Sequence, residues 1–141
     1  MRPVSSWSVI LVRAGQCVRD EQGRVVGRAD SPLTPLGHAQ AQSAADQLRH
    51  RGVQRVFSSD LTRARITGQR IADVLGVNLE VDGALTERDF GDAVGARYAD
   101  RPLVVAHSVE PIDDVFARLV DFFDRAHSSG LDTVAVVSHA S

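Results

Sequence analysis

The chain has 141 residues, 43% of them hydrophobic and 24% charged, with a formal net charge of −2. That length suits one domain able to bury about 68% of its unfolded surface, and the balance of apolar and charged residues argues against disorder. The near-neutral charge is no footprint for nucleic acid, and no apolar run approaches the roughly 20 residues of a membrane helix. The N-terminus, Met1-Arg-Pro-Val-Ser-Ser-Trp7, lacks the apolar core of a secretory signal. The single cysteine, Cys17, excludes an internal disulfide and makes a cysteine-built zinc site implausible, so a reducing, cytoplasmic setting is expected. All 16 basic residues are Arg, which a bias toward Arg codons accounts for. Every cationic contact must then be a guanidinium, a fork that grips phosphate or carboxylate.

Residues 7–13 (WSVILVR) are rich in Val, Ile and Leu and predict a buried strand. Residues 14–33 mix glycines, a proline and scattered charges, and predict a long loop. Thr34 followed by Pro35 is an N-cap with proline at the first helical position. The helix that follows places Leu36, Ala39, Ala44 and Leu48 on one face, and Gly52 is its expected stop. A second strand is expected over 54–58. Ser59 then caps a helix over 60–75, with Leu61, Ala64, Ile71, Ala72 and Leu75 at a 3.6-residue period and Gly76 as its terminator. A third strand is expected over 78–81, and residues 82–111 read as irregular. Pro111 opens a last helix whose stripe is Ile112, Val115, Phe116, Leu119, Val120 and Phe123, closed by Gly130. The final strand is expected over 133–138.

Strands alternating with helices through short links predict an α/β fold with a mainly parallel sheet flanked by helices. Chemistry in such sheets gathers outside the carboxyl ends of the strands. Four places qualify, and they hold Arg13, Arg63, Glu87 and His139. Two guanidiniums can clamp phosphoryl oxygens, and an imidazole adds a further donor. Arg63 falls in the first turns of a helix, where main-chain N–H groups favour an anion. A carboxylic acid beside them can protonate a leaving oxygen.

Six strings sharpen this pattern. Leu11-Val-Arg-Ala-Gly-Gln-Cys17 resembles the L-V-R-H-G-E/Q-T signature of the histidine phosphatase superfamily, the phosphoglycerate-mutase-like proteins. Asp30-Ser-Pro-Leu-Thr-Pro-Leu-Gly37 is similar to D-x-P-L-T-x-x-G, and Ser58-Ser-Asp-Leu-Thr-Arg-Ala-Arg-Ile-Thr67 to S-S-x-L-x-R-A-x-x-T. Leu85-Thr-Glu87 with Gly91 resembles L-x-E-x-x-x-G, the segment from Ser108 to Arg118 echoes the third core helix, and Val136-Val-Ser-His139 resembles V-V-S-H-G. The matches keep the family's order and span nearly the whole chain.

The resemblance implies phosphomonoester hydrolysis through a phosphohistidine, without metal or cofactor. It implies that Arg13, Arg63 and His139 bind the phosphoryl group and that Glu87 exchanges a proton with the leaving group. It places the nucleophile at position 14, where this chain has Ala14, and a methyl group cannot attack phosphorus. The chain as written is therefore expected to be inactive, with a small phosphoester or phosphate-like anion as its ligand. No nucleic acid or membrane partner is expected, and a homo-oligomer stays open.

Other departures are Cys17 where the family carries Thr, Asp20 where it often carries Asn, and Ala140-Ser141 where Gly usually follows the histidine. Cys17 reads as a small loop residue too far along to replace the nucleophile. An inward Asp20 would weaken anion binding; otherwise it is a solvated loop aspartate. His38, His50, His107 and His127 read as surface histidines. The family also carries more chain after the last histidine, so residues 1–141 read as one histidine-phosphatase-like domain truncated after the strand with His139, with apolar surface left uncovered.

Three functions compete. One is an inactive version of a phosphatase, with a phosphoglycerate mutase-type phosphotransferase as the related alternative; the absence of a long basic insert after Glu87 favours phosphatase. The second is a non-catalytic module that binds a phospho-ligand or partner. The third is a decaying relative with no function, which predicts poor solubility and a non-cooperative melt.

Overall fold

The computed structural model describes residues 7–91, 94–97 and 109–139. Four strands form one parallel sheet: β1 (Ser8–Arg13), β2 (Arg55–Ser58), β3 (Asn78–Val81) and β4 (Thr133–Ser138), in the order β1-β4-β2-β3. Helices α2 (Pro35–Leu48) and α3 (Thr62–Leu75) cover one face, and α4 (Ile112–Ser128) with a 3-10 turn (Gly83–Leu85) covers the other. A short helix, α1 (Val18–Glu21), interrupts the segment expected to be loop.

The period of two in the strands divides the core. Ala135 and Val137 of β4 face Ala45, Ile71 and Ala72, while Val134 and Val136 face Phe122 and Ala126. β4 lies between β1 and β2, and its four central residues are buried. β1 corrects the expectation of a buried strand. It is the sheet's edge, only partly covered, and Leu11 is 71% exposed. Residues of this strand are apolar because one side pairs with β4 and parts of both faces are packed, not because the strand is enclosed.

The helices follow their caps more closely than their stripes. Thr34 Oγ1 accepts from Gly37 N–H at 3.0 Å, with Pro35 next in line, as expected. The buried face of α2 is Gly37, Ala41, Ala45 and Leu48, whereas Leu36 and Ala39 face solvent. Backbone contact turns it this way. A Cβ on Gly15 would lie 2.5 Å from the Gly37 carbonyl oxygen, and one on Gly37 would overlap Gln16 O. Two glycines thus let the loop after β1 lie directly on α2. The helix stops at Leu48, before Gly52.

α3 begins at Thr62 with Leu61 as its N-cap, so Ser59 does not cap it; Ser59 Oγ instead accepts from Leu61 N–H in the turn before it. Gly76, left-handed at φ 68, ends it as expected. In α4 the buried residues are Val115, Phe122 and Ala126, while Ile112, Phe116 and Val120 of the expected stripe are exposed. Among the described residues, no strand lies beyond β1 to extend the sheet.

Candidate active site

The carboxyl ends of β1, β2 and β4 and the loop after β3 converge. Ala14 N–H donates to Ser138 O at 2.9 Å, Ser59 N–H to Val137 O at 3.1 Å, and Ser138 Oγ to Leu85 O at 2.8 Å. These bonds bring the segments with Arg13, Ala14, Ser59, Glu87 and His139 to one end of the sheet.

Arg13 closes β1, is exposed, and has no hydrogen-bond or ion-pair partner among the described residues. Ala14 is 8% exposed and packs in the core with Ala45 and Ala64. The following amide, Gly15 N–H, donates to Thr67 Oγ1 at 3.0 Å, and that hydroxyl donates to Arg63 O at 2.8 Å. Position 14 is therefore tied to the first turns of α3.

Arg63 is 5% exposed, buried as few guanidiniums are. Its Nη1 donates to Ala29 O at 3.1 Å and its Nη2 to Gly27 O at 2.6 Å. Both are carbonyls of the loop before α2, so Arg63 anchors that loop as well as pointing charge into the site. A guanidinium has five N–H donors, and these two bonds leave others for an anion.

His139 follows β4, and its Nε2 lies 2.9 Å from Ser59 Oγ. Burial first, then the Arg63 and Arg118 guanidiniums, push its pKa down to about 3; Asp20 opposes them and Arg13 adds to them. The imidazole is thus neutral and within the field of three guanidiniums and one carboxylate. A neutral ring offers one donor nitrogen to a ligand or to Ser59 and one acceptor.

Glu87 is 6% exposed, and its Oε1 accepts from Arg88 N–H at 2.8 Å. Its loop is braced by residues that motif reading gave no role. Arg28 Nε donates to Glu87 O at 3.0 Å, and Arg118 Nη1 donates to Ala84 O at 2.6 Å and Thr86 O at 2.8 Å. Glu110 bridges the two arginines, 3.1 Å from Arg118 Nη2 and 3.4 Å from Arg28 Nη2. The Arg118 hydrogen bond holds the Glu110 carboxyl below its usual range. A polar Arg118 on the inner flank of an apolar helix stripe was the available signal for this brace.

Cys17 is fully buried as the N-cap of α1. Asp20 Oδ2 accepts from Cys17 N–H at 3.1 Å and from its thiol at 3.2 Å. The C-x-x-D spacing is that of a capping box, so Asp20 is neither a loose surface aspartate nor one aimed solely at a ligand. His38, His50 and His127 are exposed, His127 against Trp7; His107 lies outside the described residues, as do Ala140 and Ser141. Among the described residues, no group of three or more His, Cys, Asp or Glu is placed to hold a metal ion, and no helix is long and apolar enough to cross a membrane.

A groove of about 740 Å³ opens beside Arg13 and Ala14. It runs away from Glu87 and His139, down the edge of β1 between Ile10 and Val12 on one wall and Gln40, Ser43 and Gln47 of α2 on the other.

Known proteins resemble the chain in sequence and in fold. Probable phosphoglycerate mutases GpmB of Yersinia pestis and Yersinia pseudotuberculosis are 39% identical over 83 residues, 59% of this chain. The match spans only about two fifths of the length of these curated relatives, 39%. A mycobacterial glucosyl-3-phosphoglycerate phosphatase, solved in complex with VO3, superimposes with a TM-score of 0.86 at 27% identity, covering 93% of this chain and 74% of that one. The same enzyme with inorganic phosphate gives a TM-score of 0.79, covering 93% and 72%. Bacillus stearothermophilus YhfR shares the fold, with a TM-score of 0.83 at 22% identity over 93% of this chain and 73% of its own. The model of the histidine phosphatase superfamily (branch 1) matches residues 9–141, and with the parallel sheet and the motifs in their places the chain belongs to that family.

Proposed function

We propose that this chain binds a phosphomonoester or phosphate-like anion at the carboxyl end of its sheet and does not hydrolyse it. The observation that carries the reading is Ala14, whose side chain is a methyl packed among Ala45 and Ala64 where the family pattern calls for a nucleophile. Its neighbours retain the means to hold an anion: Arg13, whose guanidinium has no partner among the described residues, Arg63 with donors to spare, and the neutral His139. Charge-assisted hydrogen bonds of this kind contribute about 1.5–3 kcal/mol each. The solved mycobacterial phosphatase complexed with phosphate supports the anion class.

Among the described residues, no other group is placed to take over the attack. The Cys17 thiol is buried and held by Asp20. Ser59 lies beside a neutral imidazole, as a base-activated nucleophile would, but is fully buried and accepts Leu61 N–H. Glu87, the proton donor of the family pattern, therefore has no phosphohistidine to serve. The names of the curated relatives keep the phosphoglycerate mutase alternative for an active ancestor, and that chemistry also runs through the missing nucleophile.

The expected result is no turnover of p-nitrophenyl phosphate and saturable heat on titration with phosphate or vanadate. Arg13→Gln should weaken that binding about ten- to a hundredfold, the loss of one charge-assisted contact. Absence of saturable binding rejects the proposal. So does turnover that persists in Glu87→Gln.

A further inference from the structure

We infer that Ser59 is a positioning residue for the anion site: its hydroxyl donates to His139 Nε2 and so fixes the imidazole as the tautomer with its proton on Nδ1, the nitrogen that meets the anion. The inference rests on the anion-binding reading above for the ligand, but not for the hydrogen bond. Which ring nitrogen carries the proton is set by the bond that the other nitrogen makes. Ser59 is free for this role because it does not cap α3. It is fully buried and held by its backbone: its N–H donates to Val137 O at 3.1 Å, and its carbonyl accepts from Ser58 Oγ at 3.0 Å.

The two directions of the Ser59–His139 bond are not equal. Among the described residues, Ser59 Oγ has two partners: it accepts from Leu61 N–H at 3.2 Å and lies 2.9 Å from His139 Nε2. If Nε2–H donated, Oγ would accept twice, and its own proton would have no acceptor in a place closed to water. If the hydroxyl donates, Oγ accepts from Leu61 and gives its proton to the bare Nε2, and both atoms are satisfied. An unpaired buried donor is costly enough to favour the second arrangement about tenfold or more. The ring is in the neutral form this needs, held there by burial and then by the Arg63 and Arg118 guanidiniums.

Nδ1–H is then left without a partner among the described residues. The charged groups whose fields reach the ring are the guanidiniums of Arg63, Arg118 and Arg13 and the Asp20 carboxylate. Guanidiniums have no acceptor, and Asp20 Oδ2 already takes Cys17 N–H and the Cys17 thiol. A ligand oxygen is the acceptor that such a donor calls for, and three guanidiniums favour one that carries negative charge. With the proton on Nε2 instead, the ring would turn a lone pair toward that oxygen and repel it.

The test is a long-range proton–nitrogen correlation spectrum of the whole chain near neutral pH, with the His139 signals identified by their loss in His139→Gln. The ligand-free chain should show a pyrrole-type Nδ1 and a pyridine-type Nε2 for His139. Added inorganic phosphate should move the Nδ1 resonance more than that of Nε2. In Ser59→Ala the tautomer preference should be lost while the far-ultraviolet circular dichroism spectrum stays the same. Phosphate affinity by calorimetry should then fall about fivefold, because only part of the rings carry the proton where the anion needs it. A pyridine-type Nδ1 in the ligand-free chain overturns the inference without any variant. Tautomer populations unchanged in Ser59→Ala overturn it as well, as does a variant that loses the preference yet binds phosphate as before. Failure of phosphate to bind at all rejects the anion site itself, and the ligand-free spectrum still decides what Ser59 does to His139.

Discussion

β1 and β4 are paired residue for residue, from Ser8 with Thr133 to Arg13 with Ser138, and both end at the candidate site. Their sequences, SVILVR and TVAVVS, share the same β-branched character. Yet Val134 to Val137 are at most 1% exposed, while Leu11 is 71% exposed. The difference lies in their neighbours. β4 has a strand on each side and helices over both faces, whereas β1, among the described residues, has a strand on one side only. Strand propensity records fit to a pleated, half-buried surface, and it does not say where in the sheet the strand lies.

The same contrast runs through α4, where it can be broken most sharply. Phe122 is 1% exposed and stacks edge-on against Phe57 and Phe123; Phe116 is 69% exposed. In urea unfolding, Phe122→Ala should cost about 4 kcal/mol and Phe116→Ala less than about 0.5 kcal/mol. Equal costs would mean that the β1 side of the molecule is as well packed as the centre.

Much of the fold was legible because local chemistry and global position agree there. β3 and β4 have the bounds that composition and turn residues predict, and Thr34-Pro35 starts a helix as its chemistry requires. Arg13, Arg63, Glu87 and His139 follow the strands where chemistry gathers in such a sheet, whereas position 14 is marked only by the resemblance to the histidine phosphatases. Burial was less legible. A 3.6-residue period marks a face of α4 but not how much sheet is present to receive it, so Ile112, Phe116 and Val120 look like core in the sequence. The polar brace around Glu87 was also hidden, because Arg28, Glu110 and Arg118 are widely separated in sequence and meet only in the folded chain.

That brace distinguishes the two sides of the site. Arg13 has no partner among the described residues, while the Glu87 loop is pinned by Arg118 through the carbonyls of Ala84 and Thr86. Arg118→Ala would leave the Glu110 carboxylate, only 15% exposed, without its nearest guanidinium and would free both carbonyls. A loss of about 3 kcal/mol is expected, with faster hydrogen exchange at residues 84–89. Arg118→Lys should recover only part of it, since an ammonium cannot reproduce the fork. Arg13→Ala should change stability by less than about 0.5 kcal/mol. A brace variant as stable as the Arg13 variant would erase the distinction.

The smallest effect expected concerns His139 and shows itself in pH. Its folded pKa of about 3 lies below the ordinary value of 6.5. Between those values the unfolded chain binds a proton that the folded chain refuses, so folding is favoured less as the medium becomes acidic. From about pH 7.5 down to 5 this one group should remove about 2 kcal/mol of stability, with almost no change above that range. Denaturant unfolding at a series of pH values checks it, comparing the chain with His139→Gln, which keeps a polar side chain beside Ser59 but cannot titrate. The variant should lose that part of the acid slope while Glu110, held below the usual carboxylate range by Arg118, supplies its own loss at lower pH in both proteins. An unchanged slope between pH 6.5 and 5 would mean that His139 is open to water, and the neutral donor assigned to the anion site would then be a cation.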